Sequence, residues 1–207
     1  MSTATILTAA EAAHKTILDN EADIESLDRA IGDGDHYHNL KRGAETVAAM
    51  ADDLSAMEAD AALKAIGMKL MSTIGGASGP LISSFILAMA KTEGAADPWT
   101  TPTVARMFRA GVDAIMKRGK ANVGDKTMLD VLIPVAEALE EGAAQDTDHA
   151  ALRARVKDVA DEGMLSTRDL TARFGRAAFL GERAVGHIDP GAKSSSLIIA
   201  SICDATA

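Results

Sequence analysis

The chain has 207 residues, 47% of them hydrophobic, 25% charged and 3% aromatic, with a formal net charge of −9. That length suits one domain over 1–207, and the composition excludes a largely disordered chain. The acidic balance, with no long basic run, excludes a non-specific nucleic-acid binder. The lone cysteine, Cys203, fits a reducing compartment. No positively charged leader precedes an apolar run, and no apolar stretch reaches the roughly 18 residues of a membrane span, so the expectation is a cytoplasmic protein away from membranes.

Alanine, leucine and methionine abound, and runs of strict period-2 alternation are missing, so the chain reads as all-α. A first helix is predicted over Thr8–Ala30, with Ala12, Ile17, Ile24 and Leu27 as its apolar stripe. A second starts near Asn39, with Leu40, Val47 and Met50 facing inward. Ser55 and Glu58 form a capping-box pattern before a third helix through Leu63, Ile66, Leu70 and Met71. A loop of small residues, Ser72–Pro80, then opens the apolar segment Leu81–Met89, with Pro80 suited to a first helical turn. Thr101-Pro102 begins a helix carrying Val104, Phe108, Val112, Ile115 and Met116. Gly119–Thr127 interrupts the pattern before Met128–Glu141, where Pro134 predicts a kink. A polar helix starts at Gln145–Asp148 and reaches about Asp161. After an arginine-rich stretch, Arg173–Arg183, a last helix begins at Asp189-Pro190-Gly191. Eight or so helices with short connections predict an antiparallel eight-helix barrel or bundle.

The residues with the densest chemistry are Asp28 and Gly32-Asp33-Gly34-Asp35-His36-Tyr37-His38-Asn39. Asp28, Asp33 and Asp35 are the ligand type that hard divalent cations prefer, and Mg²⁺ is commonly held by a few carboxylates plus water and substrate phosphates. The plain alternative is a solvated acidic turn. The spacing fits neither an EF-hand nor a zincin site. Two more glycine-containing loops, Gly75–Pro80 and Gly119–Thr127, also lead into helices, whose N-termini attract phosphate. Ser78 offers a hydroxyl and Gly79 an open N–H. Gly119-x-x-x-x-Gly124-Asp125-Lys126-Thr127 is not a P-loop, because a helical pattern precedes it. It can still line a nucleotide pocket through Thr127 and Met128, the latter polarizable beside a base. Ser194-Ser195-Ser196 beside Lys193 reads as a helix start, and Arg176, Arg183 and Lys193 are able to clamp phosphates.

Taken in order, Asp28, Ile31–His36, Asn39, Gly75–Leu81, Gly124–Asp130, Gly175-Arg176-Ala177, Leu180–Arg183 and Asp189–Ala192 resemble the nucleotide-binding subunit of dihydroxyacetone kinase, the DhaL family. The resemblance spans nearly the whole chain. It implies a barrel of eight antiparallel helices, with ADP or ATP at one end and Asp28, Asp33 and Asp35 holding two Mg²⁺ ions. It further implies His36, His38 and Asn39 along the phosphates and Ala77 and Ser78 on their other side. Gly119, Met128, Arg176, Asp189 and Gly191 would surround base and ribose. The ketose would sit on a separate DhaK-like subunit, the phosphoryl donor would be ATP or a DhaM-like phosphocarrier, and a homodimer is admitted. One departure stands out: Tyr37 and His38 follow the Gly-Asp-Gly-Asp-His run, where the family usually has glycine. A bulky residue there predicts an altered loop or approach, and a tetrulose becomes an alternative ketose. The remaining alternatives are a non-catalytic nucleotide-binding module and a helical bundle around a lipid.

Overall fold

The structure is a computed structural model that describes residues 2–76 and 78–206; the expected contact at Ala77 lies outside the described residues. Among the described residues there are ten α-helices: α1 (Ser2–Asp19), α2 (Glu21–Ile31), α3 (His36–Ala48), α4 (Ala51–Ser55), α5 (Ala59–Thr73), α6 (Ser78–Ala90), α7 (Thr101–Gly119), α8 (Leu129–Ala144), α9 (His149–Ser166) and α10 (Pro190–Ala205). Eight of them close a ring. α1 packs on α3, α3 on α5, then α5 through α10 pack successively, and α10 returns to α1. The expected eight-helix barrel is this ring, with α2 and the short α4 as additions.

Neighbours around the ring run antiparallel, as close pairs show. Gly67 of α5 meets Leu87 of α6, Gly142 of α8 meets Leu152 of α9, and Lys157 of α9 bonds Asp204 of α10. In consequence the ends of α2, α5, α7 and α9 and the starts of α3, α6, α8 and α10 share one end of the barrel.

Two expected boundaries shift. The first predicted helix is two, because the side-chain amide of Asn20 donates to the Thr16 carbonyl at 2.8 Å and its backbone leaves the helical region. Such local side-chain bonding offers the backbone an alternative to the helix. The Ser55–Glu58 capping box does not form: the Ser55 hydroxyl donates to Asp52 O, and Glu58 precedes α5 without a side-chain cap. Pro134 lies inside α8, which continues through it. Its missing N–H frees the Asp130 carbonyl, and α9 approaches that carbonyl through Gly163, where a Cβ would stand 2.3 Å from Asp130 O.

The interior is aliphatic. One cluster joins α7 to α10 through Val112, Ile115, Val131, Val135, Val156 and Ile199, and a second joins α1, α3, α5 and α7 through Ile6, Val47, Leu63, Ile66 and Met107. Each such side chain contributes about 1.5–3 kcal/mol when fully buried. No helix among the described residues is long and apolar enough to cross a membrane.

Candidate functional site

At the shared end of the barrel, the last turn of α2 delivers Asp28 and the following turn delivers Asp33 and Asp35. One carboxylate oxygen from each lies within 4.8 Å of the others. Asp28 is buried, and its Oδ2 accepts the His36 backbone N–H at 2.9 Å, which ties the end of α2 to the start of α3. The turn depends on its glycines. A Cβ at Gly32 would stand 1.8 Å from Asp28 Oδ1, and Gly34 has φ +79, a left-handed backbone that side chains disfavour. Three oxygen donors, two of them exposed, suit a hard divalent cation that keeps some of its coordination for water or phosphate.

The loop after α5 closes against this cluster. Gly76, at φ +64, would place a Cβ 3.7 Å from Asp35 Oδ2 and 3.6 Å from the Asn39 amide nitrogen. Asn39 is buried and its Oδ1 accepts from Arg42. Ser78 and Gly79 start α6. Gly79 has a packing role beyond its free N–H, since a Cβ there would lie 2.2 Å from the Ile74 carbonyl.

The start of α10 meets the same cluster from the other side. His36 Nε2 lies 3.0 Å from Ser194 Oγ, so Ser194 is more than a helix start. Burial holds the His36 imidazole below its ordinary pKa, against the pull of Asp28 and Asp35. Asp189 caps α10 by accepting the Ala192 N–H at 2.8 Å, and burial pushes its carboxyl up to about 7. Gly191 places α10 against Met128, whose Cβ would be 3.5 Å from a Cβ at that glycine. Gly119 ends α7 beside Leu81, near the start of α6. Arg176, ahead of a 3-10 segment over Ala177–Ala184, reaches back so that its Nε pairs with Asp33 Oδ2 at 2.7 Å.

Two expected residues also have partners within the fold. His38 is exposed and leans toward Glu25, at 3.8 Å, on the outer side of the helix. The Thr127 hydroxyl accepts the Leu129 N–H at 3.1 Å, so it helps to start α8. Tyr37, the bulky departure in the motif, has its ring buried with Ile17, Ile24 and Leu40, and its hydroxyl donates to Glu21 Oε2 at 3.0 Å. Burial and that bond to Glu21 push the phenol up to about 12. The ring therefore pins α2 to α3.

Residues without an assigned role in the sequence reading complete the frame. The Asp130 carboxylate accepts the N–H groups of Gly124 at 2.6 Å and Thr127 at 2.7 Å. Thr-x-x-Asp over Thr127–Asp130 is a capping pattern that could have revealed this pair. Thr167 accepts the Asp189 N–H at 3.0 Å, across a separation in sequence that no local pattern signals.

Comparisons with known proteins follow this geometry. A family model described as "DAK2 domain" matches residues 30–204. The chain is 40% identical over 171 residues to the PEP-dependent dihydroxyacetone kinase, ADP-binding subunit DhaL, of Escherichia coli (strain K12), covering 83% of this chain and 81% of that subunit. It is 38% identical over 200 residues to the PTS-dependent dihydroxyacetone kinase, ADP-binding subunit DhaL, of Lactococcus lactis, covering 94% and 93%. The crystal structure of the dihydroxyacetone kinase from C. freundii in complex with AMP-PNP and Mg²⁺ superposes with a TM-score of 0.73 at 25% identity, over 97% of this chain and 34% of that one.

Proposed function

The chain belongs to the DAK2-domain family, and on that premise we propose that it is the ADP-binding subunit of a dihydroxyacetone-type kinase. It transfers a phosphoryl group from an adenine nucleotide to dihydroxyacetone or a similar small ketose carried by a separate DhaK-like subunit. The observation that carries this reading is the convergence of Asp28, Asp33 and Asp35 at the end of the barrel where four helices begin.

Each residue has a physical task. Asp28, Asp33 and Asp35 hold two Mg²⁺ ions, whose positive charge offsets that of the phosphates as the phosphoryl group moves in line. Asp28 is held in place by the His36 N–H. Asn39, Ser78 and Gly79 line the phosphates from the α3 and α6 starts. His36, its Nε2 occupied by Ser194, presents the rest of its ring to the same space. His38, on the outer side, faces the approaching subunit. Gly119, Thr127, Met128, Asp189 and Gly191 enclose the nucleoside, and Arg176, anchored on Asp33, stands where it can reach a phosphate. The protein forms no covalent bond in this scheme; it positions and neutralises. The donor is either exchangeable ATP or a DhaM-like phosphocarrier that recharges bound ADP, and a cytoplasmic location accords with either.

Two measurements test the reading. Mg-ADP is expected to raise the unfolding temperature, since a ligand of the native state stabilises by mass action, and the rise is expected to vanish without Mg²⁺ or in Asp35→Asn. Mixing the chain with the ketose-binding subunit of its kinase, dihydroxyacetone and Mg-ATP is then expected to yield phosphorylated ketose, or to do so only once the phosphocarrier is added. Stabilisation by ADP that ignores both Mg²⁺ and Asp35 would remove the metal assignment.

A further inference from the structure

Lys126 is fully buried, and among the described residues no carboxylate pairs with its ammonium, although Asp189, Asp169 and Asp130 lie near enough to favour its charge. Its Nζ donates to three backbone carbonyls: Thr167 O at 2.5 Å, His187 O at 2.6 Å and Arg168 O at 3.4 Å. Thr167 and Arg168 follow the last turn of α9, where unpaired carbonyls and the negative end of the helix dipole favour a cation. His187 lies just before Asp189, the cap of α10. One ammonium thus joins the 120–128 loop, the end of α9 and the entry to α10.

The position is an expensive one. Burying a charge is unfavourable unless it is fully hydrogen-bonded, and burial does pull this amine below the ordinary lysine range. The backbone of Lys126 is also left-handed, at φ +60, a conformation that a non-glycine residue keeps only where its surroundings demand it. A methionine would fill the same volume without the charge, so packing alone does not account for a lysine here. What the three bonds do account for is the placement of the next two residues. Thr127 starts α8 and Met128 lies against Gly191 at the start of α10, while Thr167 independently holds the Asp189 N–H.

We propose that Lys126 is a positioning residue for the nucleoside half of the site: by fastening its loop to the end of α9 and the entry to α10, it holds Met128 against Gly191, beside Asp189, as one wall of that half. The inference rests on the nucleotide reading above. It separates the two halves of the site, because Asp28, Asp33, Asp35 and the α6 start belong to other elements and are not among the hydrogen-bond partners of Lys126.

The test measures dissociation constants of full-length wild type and Lys126→Met for two probes, Mg-ADP and Mg-pyrophosphate, by calorimetry. Pyrophosphate needs the aspartates and the phosphate loop but no nucleoside contact. Lys126→Met is expected to bind Mg-ADP at least tenfold more weakly while Mg-pyrophosphate stays within twofold of wild type. Equal weakening of both probes would show a purely structural role and overturn the proposal, as would unchanged Mg-ADP affinity. Lys126→Arg keeps a cation over the end of α9 and so guards against a Met variant that does not fold. Its N–H groups can donate to the same carbonyls, so Mg-ADP affinity closer to wild type than that of Lys126→Met is expected; a variant that folds and loses both probes equally would overturn the proposal too. Wild-type protein that binds neither probe would instead remove the nucleotide reading on which the proposal stands.

Discussion

Gly32→Ala is the sharpest perturbation of the aspartate cluster, because it leaves every carboxylate in the sequence and moves only one. The added Cβ would lie 1.8 Å from Asp28 Oδ1 and 2.8 Å from the Asp28 carbonyl, where contacts under 3.0 Å essentially never occur. The carboxylate must therefore retreat by more than an ångström, while Mg–O bonds of about 2.0–2.1 Å tolerate roughly 0.2 Å. Misplacement on that scale can cost about 100-fold. At a ligand concentration of ~100 Kd, wild type gains about 2.7 kcal/mol, and a 100-fold weaker site at the same concentration gains only ~0.4 kcal/mol. With about 2–4 °C per kcal/mol for a chain of this size, a Mg-ADP shift of roughly 5–11 °C is expected to fall to about 1–2 °C. The assay is a thermal melt with ADP, with and without Mg²⁺, referred to each protein's own ligand-free melt so that the strain cost of the methyl cancels. A Gly32→Ala protein with the full Mg-dependent shift would refute the cage as drawn.

Other expected outcomes follow from neighbouring contacts. Tyr37→Phe should lose about 0.5–1.5 kcal/mol in a urea titration, the worth of one partly buried hydrogen bond, here to Glu21, and a loss near zero would mean that the bond is not formed in solution. Gly163→Ala should cost roughly 1–3 kcal/mol by pushing α9 off the Asp130 carbonyl, again read by urea unfolding; an unchanged midpoint would contradict the close approach of α8 and α9. Asp189 gives a pH test: its folded pKa of about 7 lies above the unfolded carboxylate value, so the native state binds the extra proton. Its contribution is favourable at low pH and is lost as pH rises toward 7, by up to about 1.4 kcal/mol per pH unit. The stability difference between wild type and Asp189→Asn, which keeps a capping side chain, should accordingly change between about pH 4 and 7, and a flat difference would show that the cap bonds outweigh burial.

How far the sequence reveals this depends on whether a feature is local. The helices were legible because apolar spacing repeats within each segment, and Asp28, Asp33 and Asp35 were legible because one short turn, bent at Gly32 and Gly34, carries them. Asn20 was missed as a helix break because asparagine is only mildly unfavourable inside a helix; its bond to Thr16 decides the matter. The burial of Tyr37 is not legible in its motif: helical geometry turns the side chain of α3's second residue inward to Glu21, across 16 positions. His38, one residue on, is correspondingly turned outward.

The nucleoside half shows where local reading stops. His36 meets Ser194 across 158 positions, Lys126 meets His187 across 61, and Asp189 meets Thr167 across 22. No periodicity encodes these pairs; they exist because the ring closes and brings α10 back beside α1 and α2. The Asp28–Asp33–Asp35 turn can form before that closure, since the span from Asp28 to His36 is only 8 residues, and loop-closure cost grows with length. The enclosure around Met128, Asp189 and Gly191 cannot, because it needs the last helix in place. Variants that loosen α10 are therefore expected to weaken binding of the nucleoside before they disturb the carboxylate cluster, and hydrogen exchange at Gly191 and Ala192, compared with that at His36, would show the order.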